Sequence, residues 1–281
     1  VRAVILDGVA PPDLVLGQNV ARDAQHALDL IWERCAQDTA CHAAFPEIRE
    51  EWVALLAALD EAPVEVNVAH PVTGEKLSFP FTREALATTV RLHTYTPETV
   101  ALLPLLIHTA QSTGNLEPLA AHALLLTEDL SNSISNAMNI SVLCAEDVPF
   151  FVPEEIKTAN EGSYLGDLQT RQLLSTCALW PRGEIPPTFK EPVSSEVPTL
   201  LLSGEADPVT PPEYGEHAAQ TLPNSLHLIA PGQGHNVIYR GCIPRLAEEF
   251  IVAGTVEGLK SDCVAQIAPM PFFVTFTGPP P

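Results

Sequence analysis

Leu201-Leu202-Ser203-Gly204-Glu205-Ala206-Asp207-Pro208-Val209-Thr210-Pro211 is the stretch on which the reading of the fold turns. The apolar run Thr199-Leu200-Leu201-Leu202 stops at Ser203-Gly204, as a strand buried on both faces of a parallel sheet does. Asp207 then falls in a turn closed by Pro208 and Pro211, at the carboxyl edge where open α/β sheets place their sites. The prolines also open a helix from Pro211 to Leu222, which leads into a second apolar run, Leu226-His227-Leu228-Ile229, before Pro231-Gly232. That is a strand, helix, strand unit with an expected right-handed crossover. Near the start of the chain, Ala3-Val4-Ile5-Leu6 before Asp7-Gly8 reads as a third parallel strand.

Between these strands the texture changes. Segments 18–40, 47–60, 82–93, 98–113 and 116–130 carry helical periodicity, with breakers such as Pro46 and Ser112-Thr113-Gly114-Asn115 between them. Val64 to Val68 and Lys76 to Phe81, around His70-Pro71-Val72-Thr73-Gly74, predict a β-hairpin. The expected organisation is an α/β protein in three parts. Residues 1–16 hold a sheet strand, 17–180 form a mainly helical cap with a hairpin, and 181–281 return to the sheet.

Twenty-eight residues beyond Asp207, Gly232-Gln233-Gly234-His235-Asn236 presents a histidine just after the next strand. Flanking glycines let the backbone turn sharply there. Asp207 is placed to accept a hydrogen bond from one imidazole nitrogen and fix the tautomer, leaving the other to face a nucleophile. Acid then base, one strand apart, is the order in α/β-hydrolases, in which a serine comes first. Either residue alone reads as a turn former or a surface histidine; together, after consecutive strands, they read as a catalytic pair.

Composition narrows the classes. Acidic residues outnumber basic ones 35 to 14, for a formal net charge of −21, which repels nucleic acid and anionic lipid head groups. No apolar run approaches the roughly 20 residues that span a bilayer. Neither nucleic acid nor membrane is therefore an expected partner. The six cysteines show no CxxC and no Cys/His spacing of a zinc site, so no metal is expected, and hydrolysis by an acid, a base and a serine needs no organic cofactor. Their even number favours disulfides and an oxidising compartment, although several pairings are open on sequence alone. The chain starts at Val1, with no visible signal peptide, which reads as a cut, a processing site or an alternative start.

These residues resemble tripeptidyl-aminopeptidase-like α/β-hydrolases, relatives of the proline iminopeptidases. Val197 to Pro281 looks like that family's C-terminal region. Arg2-Ala3-Val4-Ile5-Leu6-Asp7-Gly8-Val9-Ala10-Pro11-Pro12 resembles its strand after the nucleophile helix. Cys35 to Cys41, Ser141-Val142-Leu143-Cys144-Ala145-Glu146-Asp147 and Cys177-Ala178-Leu179-Trp180-Pro181 resemble its cap. The resemblance implies a serine esterase or exopeptidase acting through an acyl-enzyme on a small ester or peptide, with Asp207 as acid and His235 as base. It also implies that Glu146 and Asp147 meet the substrate's free amino group. With the pairwise placement of the cysteines, it gives disulfides Cys35–Cys41, Cys144–Cys177 and Cys242–Cys263, and a secreted or periplasmic protein.

The departure lies in the nucleophile. The family carries it in Gly-x-Ser-x-Gly, on the turn before the helix that would precede Arg2, and the oxyanion hole goes with it. Gly162-Ser163-Tyr164-Leu165-Gly166 has its serine one place early with no strand before it, and Ser203 sits on the acid's own strand. The expectation is thus the C-terminal part of a serine hydrolase, with the sheet edge at Ala3 to Leu6 open to its N-terminal half or to a second copy. Two rivals stand beside it: a non-catalytic remnant or interaction module, and an esterase using Ser163 or Ser203.

Overall fold

The structure is a computed structural model that describes residues 1–279. The elements run β1 (Val4–Asp7), α1 (Val20–Gln37), α2 (Thr39–Ala44), α3 (Ile48–Glu61), β2 (Val64–Ala69), β3 (Lys76–Phe81), α4 (Arg83–His93), α5 (Pro97–Val100), α6 (Leu103–Thr113) and α7 (Glu117–Ser133). They continue with α8 (Asn136–Glu146), α9 (Pro153–Asn160), α10 (Leu168–Cys177), β4 (Thr199–Gly204), α11 (Pro212–Ala219), β5 (Ser225–Ala230) and α12 (Ile243–Ala253). The protein is mixed α/β with a small parallel sheet, and it divides into two compact units.

The first unit comprises Val1–Ala27 and Ile140–Pro269. Its parallel sheet has the order β1-β4-β5, with Val4 opposite Thr199 and Thr199 opposite Ser225. All six residues of β4 are buried, as expected of a central strand whose apolar run has no polar alternation. Leu200 and Leu202 point into a core with Leu228, Ala230, Val237 and one face of α12. That face is Ile243, Leu246, Ala247 and Phe250, buried at the i, i+3, i+4, i+7 spacing of an amphipathic helix. Gly254, left-handed at φ 69°, ends the helix. Disulfide Cys242–Cys263 ties the start of α12 to the segment after it, and Cys144–Cys177 joins α8 to α10.

The second unit comprises Leu28–Asn139 and the described residues from Met270 on. The predicted hairpin is present as antiparallel β2 and β3, with Val66 and Val68 turned inward. In α3, Ile48, Trp52, Leu55 and Leu59 form the buried stripe. Thr82 caps α4 by accepting the Ala85 N–H at 3.1 Å, and Cys35–Cys41 joins α1 to α2. His93 is fully buried; its Nδ1–H donates to Thr89 O at 2.8 Å, and its Nε2 accepts from His122 Nδ1 at 3.0 Å.

The grouping of contacts differs from a block at 17–180. Residues 140–180 group with the sheet because Leu16 N–H donates to Asp147 at 2.9 Å, Val152 N–H to Gln18 at 2.7 Å and Tyr164 N–H to Gln25 at 3.0 Å. Gln18 also bonds Glu155.

Candidate active site

The site grows from the carboxyl ends of β4 and β5. After Gly204 the chain cannot continue as strand, and its backbone groups turn to the neighbouring loop. Glu205 N–H donates to Ala230 O at 3.0 Å, and Ala206 N–H to Gln233 O at 2.9 Å. The Glu205 carboxylate accepts Gly232 N–H at 2.7 Å, so the two loops are stitched together on both sides. Gly204 makes this approach possible. A Cβ there would stand 2.0 Å from Gly234 O and 2.5 Å from Gln233 O.

Asp207, 1% exposed, lies in the resulting turn. Its Oδ1 accepts the N–H groups of Val209 at 2.8 Å and Thr210 at 2.9 Å; its Oδ2 accepts the Thr210 hydroxyl at 3.0 Å and His235 Nδ1–H at 2.9 Å. Burial pushes this carboxyl's pKa up, but the hydrogen bond and charge of His235 and the two backbone N–H groups outweigh it and hold the pKa below its ordinary value. The carboxylate is therefore ionised and acceptor-only. That fixes the proton on Nδ1 and makes Nε2 the nitrogen with the lone pair, the tautomer a general base needs. Thr210 Oγ1 also lies 3.3 Å from Nδ1. The helix that follows is anchored at Tyr214, whose hydroxyl donates to buried Asp23 at 2.5 Å. Burial raises the Asp23 pKa despite Tyr214 and Arg22.

The other residues singled out by sequence fall elsewhere. Ser203 is buried and bonded to His227 Nε2 at 2.9 Å across the β4–β5 pair. Ser163 Oγ accepts the Leu165 N–H at 3.1 Å in a local turn. Asp147, also buried, accepts Lys190 Nζ at 2.8 Å as well as the Leu16 N–H, an ion pair that fastens the 140–180 segment. Glu146 closes α8 half-buried. Sequence reasoning missed Thr210, although Asp207-x-x-Thr210 is the spacing of an Asx turn whose hydroxyl can return to the carboxylate.

Residues 162–263, which contain both Asp207 and His235, match the family model described as TAP-like protein. That match supports a TAP-like α/β-hydrolase family for this part of the chain. Among curated relatives, the proteins named serine protease Hip1 from Mycobacterium bovis and Mycobacterium tuberculosis are 34% identical over 107 residues, 36% of this chain. The match spans about a fifth of those relatives' length, 19%. The match accords with Asp207 and His235 lying one strand apart, since in α/β-hydrolases the acid and the base both follow the serine in chain order.

Proposed function

We propose that the chain carries the acid and base of a serine hydrolase, an esterase or exopeptidase working through an acyl-enzyme, and that the nucleophile comes from residues outside Val1–Pro281. The observation that carries this is the 2.9 Å bond from His235 Nδ1 to a buried, ionised Asp207 at the carboxyl edge of a parallel sheet. In that reading His235 Nε2 takes the proton of an attacking hydroxyl and returns it to the leaving group, while Asp207 stabilises the imidazolium. The positions of Ser203 and Ser163 support an external nucleophile, since each hydroxyl already serves a partner of its own. The helical segments are a partial hydrolase's cap, and the substrate is a small ester or peptide. With Asp147 held by Lys190, half-buried Glu146 is the carboxylate proposed to meet a substrate amino group.

The open edge of β1 is where that missing part would pack. Among the described residues β1 pairs with β4 alone, and beside it lies an apolar cavity of about 490 Å³ lined by Val4, Leu6, Val193, Val197 and Leu222. An unpaired edge flanked by apolar side chains favours another strand. The proposed occupant is the nucleophile-bearing N-terminal half, with self-association as the behaviour of the chain alone. Three disulfides favour an exported protein. No helix among the described residues is long and apolar enough to cross a membrane.

The test treats the purified 281-residue chain with a fluorophosphonate probe and short-chain nitrophenyl esters, beside a His235→Ala control. The expected result is no His235-dependent labelling or hydrolysis. A serine labelled in the parent and silent in the control would overturn the external nucleophile.

A further inference from the structure

We infer that Asp7, at the end of β1, is a positioning residue for His235, and that Gly8 beside it keeps open the space the imidazole occupies. This rests on the reading of Asp207 and His235 as an acid–base pair. The Asp7 carboxylate accepts two successive backbone N–H groups, Val237 at 2.9 Å through Oδ1 and Ile238 at 2.8 Å through Oδ2. These amides begin the turn directly after His235, a turn closed by Arg240 N–H to Val237 O at 2.9 Å. Between histidine and turn stands Asn236 at φ 65°, a left-handed conformation uncommon outside glycine. With that residue's backbone in a sparsely populated region, the geometry persists only when its surroundings over-determine it. Two charge-assisted bonds to one carboxylate are such a constraint, since they fix both the position and the direction of the peptide planes leaving His235.

The ring itself meets the residue after β1. Gly8 has φ +66°, and its N–H donates to Leu202 O at 2.9 Å, continuing the β1–β4 ladder past the strand end. A Cβ on Gly8 would stand 2.9 Å from His235 Cε1 and 3.0 Å from Thr210 Oγ1. Asp7 thus holds the backbone beyond the histidine while Gly8 leaves room for the ring to lie against Asp207. The strand that carries neither acid nor base sets the distance between them.

The experiment uses the full chain, labelled with ¹⁵N in histidine rings and backbone, and needs no catalysis. In the parent, a downfield Nδ1 proton on His235 reports its bond to Asp207, and the Val237 and Ile238 amides should exchange with solvent at least 100-fold more slowly than that of Asn236. Asp7→Asn puts an NH₂ group against one of the two N–H donors. Exchange at Val237 or Ile238 should rise at least tenfold and the Nδ1 proton signal should broaden or vanish, while Leu201 and Leu228 amides in the sheet stay protected. Gly8→Ala should remove the same signal with Asp7 intact. A parent without the Nδ1 signal would overturn the acid–base reading and this inference with it. A parent with the signal and an Asp7→Asn chain that keeps it unchanged would overturn the positioning role alone. Should Asp7→Asn not fold, by loss of Leu201 protection, the decision falls to Gly8→Ala and to parent exchange: unprotected Val237 and Ile238 amides, or an unchanged ring signal in Gly8→Ala, overturn it.

Discussion

Adding one methyl group at Gly204 tests how tightly the acid and histidine loops are locked. Ordinary Cβ contact starts at 3.4 Å, whereas Gly234 O lies 2.0 Å and Gln233 O 2.5 Å from where the added Cβ would stand. Both are backbone atoms, so no flexible side-chain end can swing away. Gly204 itself is the last residue of a fully buried central strand, paired with Ala230 in the register. The loop bearing His235 must therefore retreat by more than about 1 Å, with loss of Ala206 N–H to Gln233 O. Overpacking a well-filled site costs about 1–3 kcal/mol and occasionally more; a backbone collision of this depth belongs at the upper end, about 3 kcal/mol. At about 2–4 °C per kcal/mol for domains of 150–250 residues, Gly204→Ala should lower Tm by at least about 6 °C. The 2.9 Å bond between His235 and Asp207 should break as well. Thermal unfolding followed by circular dichroism reads the first effect, and the His235 Nδ1 proton signal reads the second. Gly183→Ala is the control, since no atom lies within 4 Å of its Cβ position and its φ is not positive; it should change Tm by about 2 °C or less. A Gly204→Ala chain that melts within about 1 °C of the parent and keeps the His235 signal would refute the reasoning.

Other consequences follow from the same geometry. Because the folded pKa of Asp207 is depressed from 3.8, its ionisation contributes stability above that value which is lost as pH falls through the lower folded value. In urea titrations, the stability gap between parent and Asp207→Asn should accordingly be widest near pH 6 and shrink below pH about 4; a gap independent of pH would contradict this. His93 behaves with the same sign for a different reason: burial pushes it down from 6.5 to about 4, against the bond to Thr89 O, so the folded form resists protonation. Stability is full above about pH 6.5 and declines as pH falls from there towards 4, a slope that His93→Phe should flatten whatever its cost at pH 7. Paired cysteine-to-alanine changes should destabilise in the order of loop length, about 4 kcal/mol for Cys144–Cys177 (separation 33), about 3 for Cys242–Cys263 (21) and about 2 for Cys35–Cys41 (6), measured as ΔG of unfolding. A reversed order would mean that the pairings act through folded-state contacts instead.

Much of the sheet and the pairing of Asp207 with His235 was legible because the signals are local. Thr199 to Leu202 is a continuous apolar run, and all of it is central strand; Val66 and Val68 alternate with polar neighbours, and they form one face of a hairpin. Asp207 and His235 each follow such a run directly, so placing the strands placed the residues. The grouping of 140–180 with the sheet was not legible. It depends on side chains reaching across more than 130 residues, Asp147 to Leu16 and Gln18 to Val152, and no periodicity encodes such contacts. Asp147 shows the same limit: the resemblance of its segment to a hydrolase cap offered its carboxylate to a substrate, while Lys190, 43 residues along the chain, pairs with it. Asp7 was read only as the end of a strand, since nothing in its neighbourhood indicates that it bonds the turn after His235.

The most direct measurement is the turnover of a nitrophenyl ester by the natural gene product that contains these residues, compared with its His235→Ala and Asp207→Asn variants under matched folding. With His235 as base and Asp207 as its orienting acid, kcat should fall by about 10³-fold or more in each variant, with little change in KM. Variants that retain turnover within about threefold of the parent would contradict the acid–base assignment at its centre.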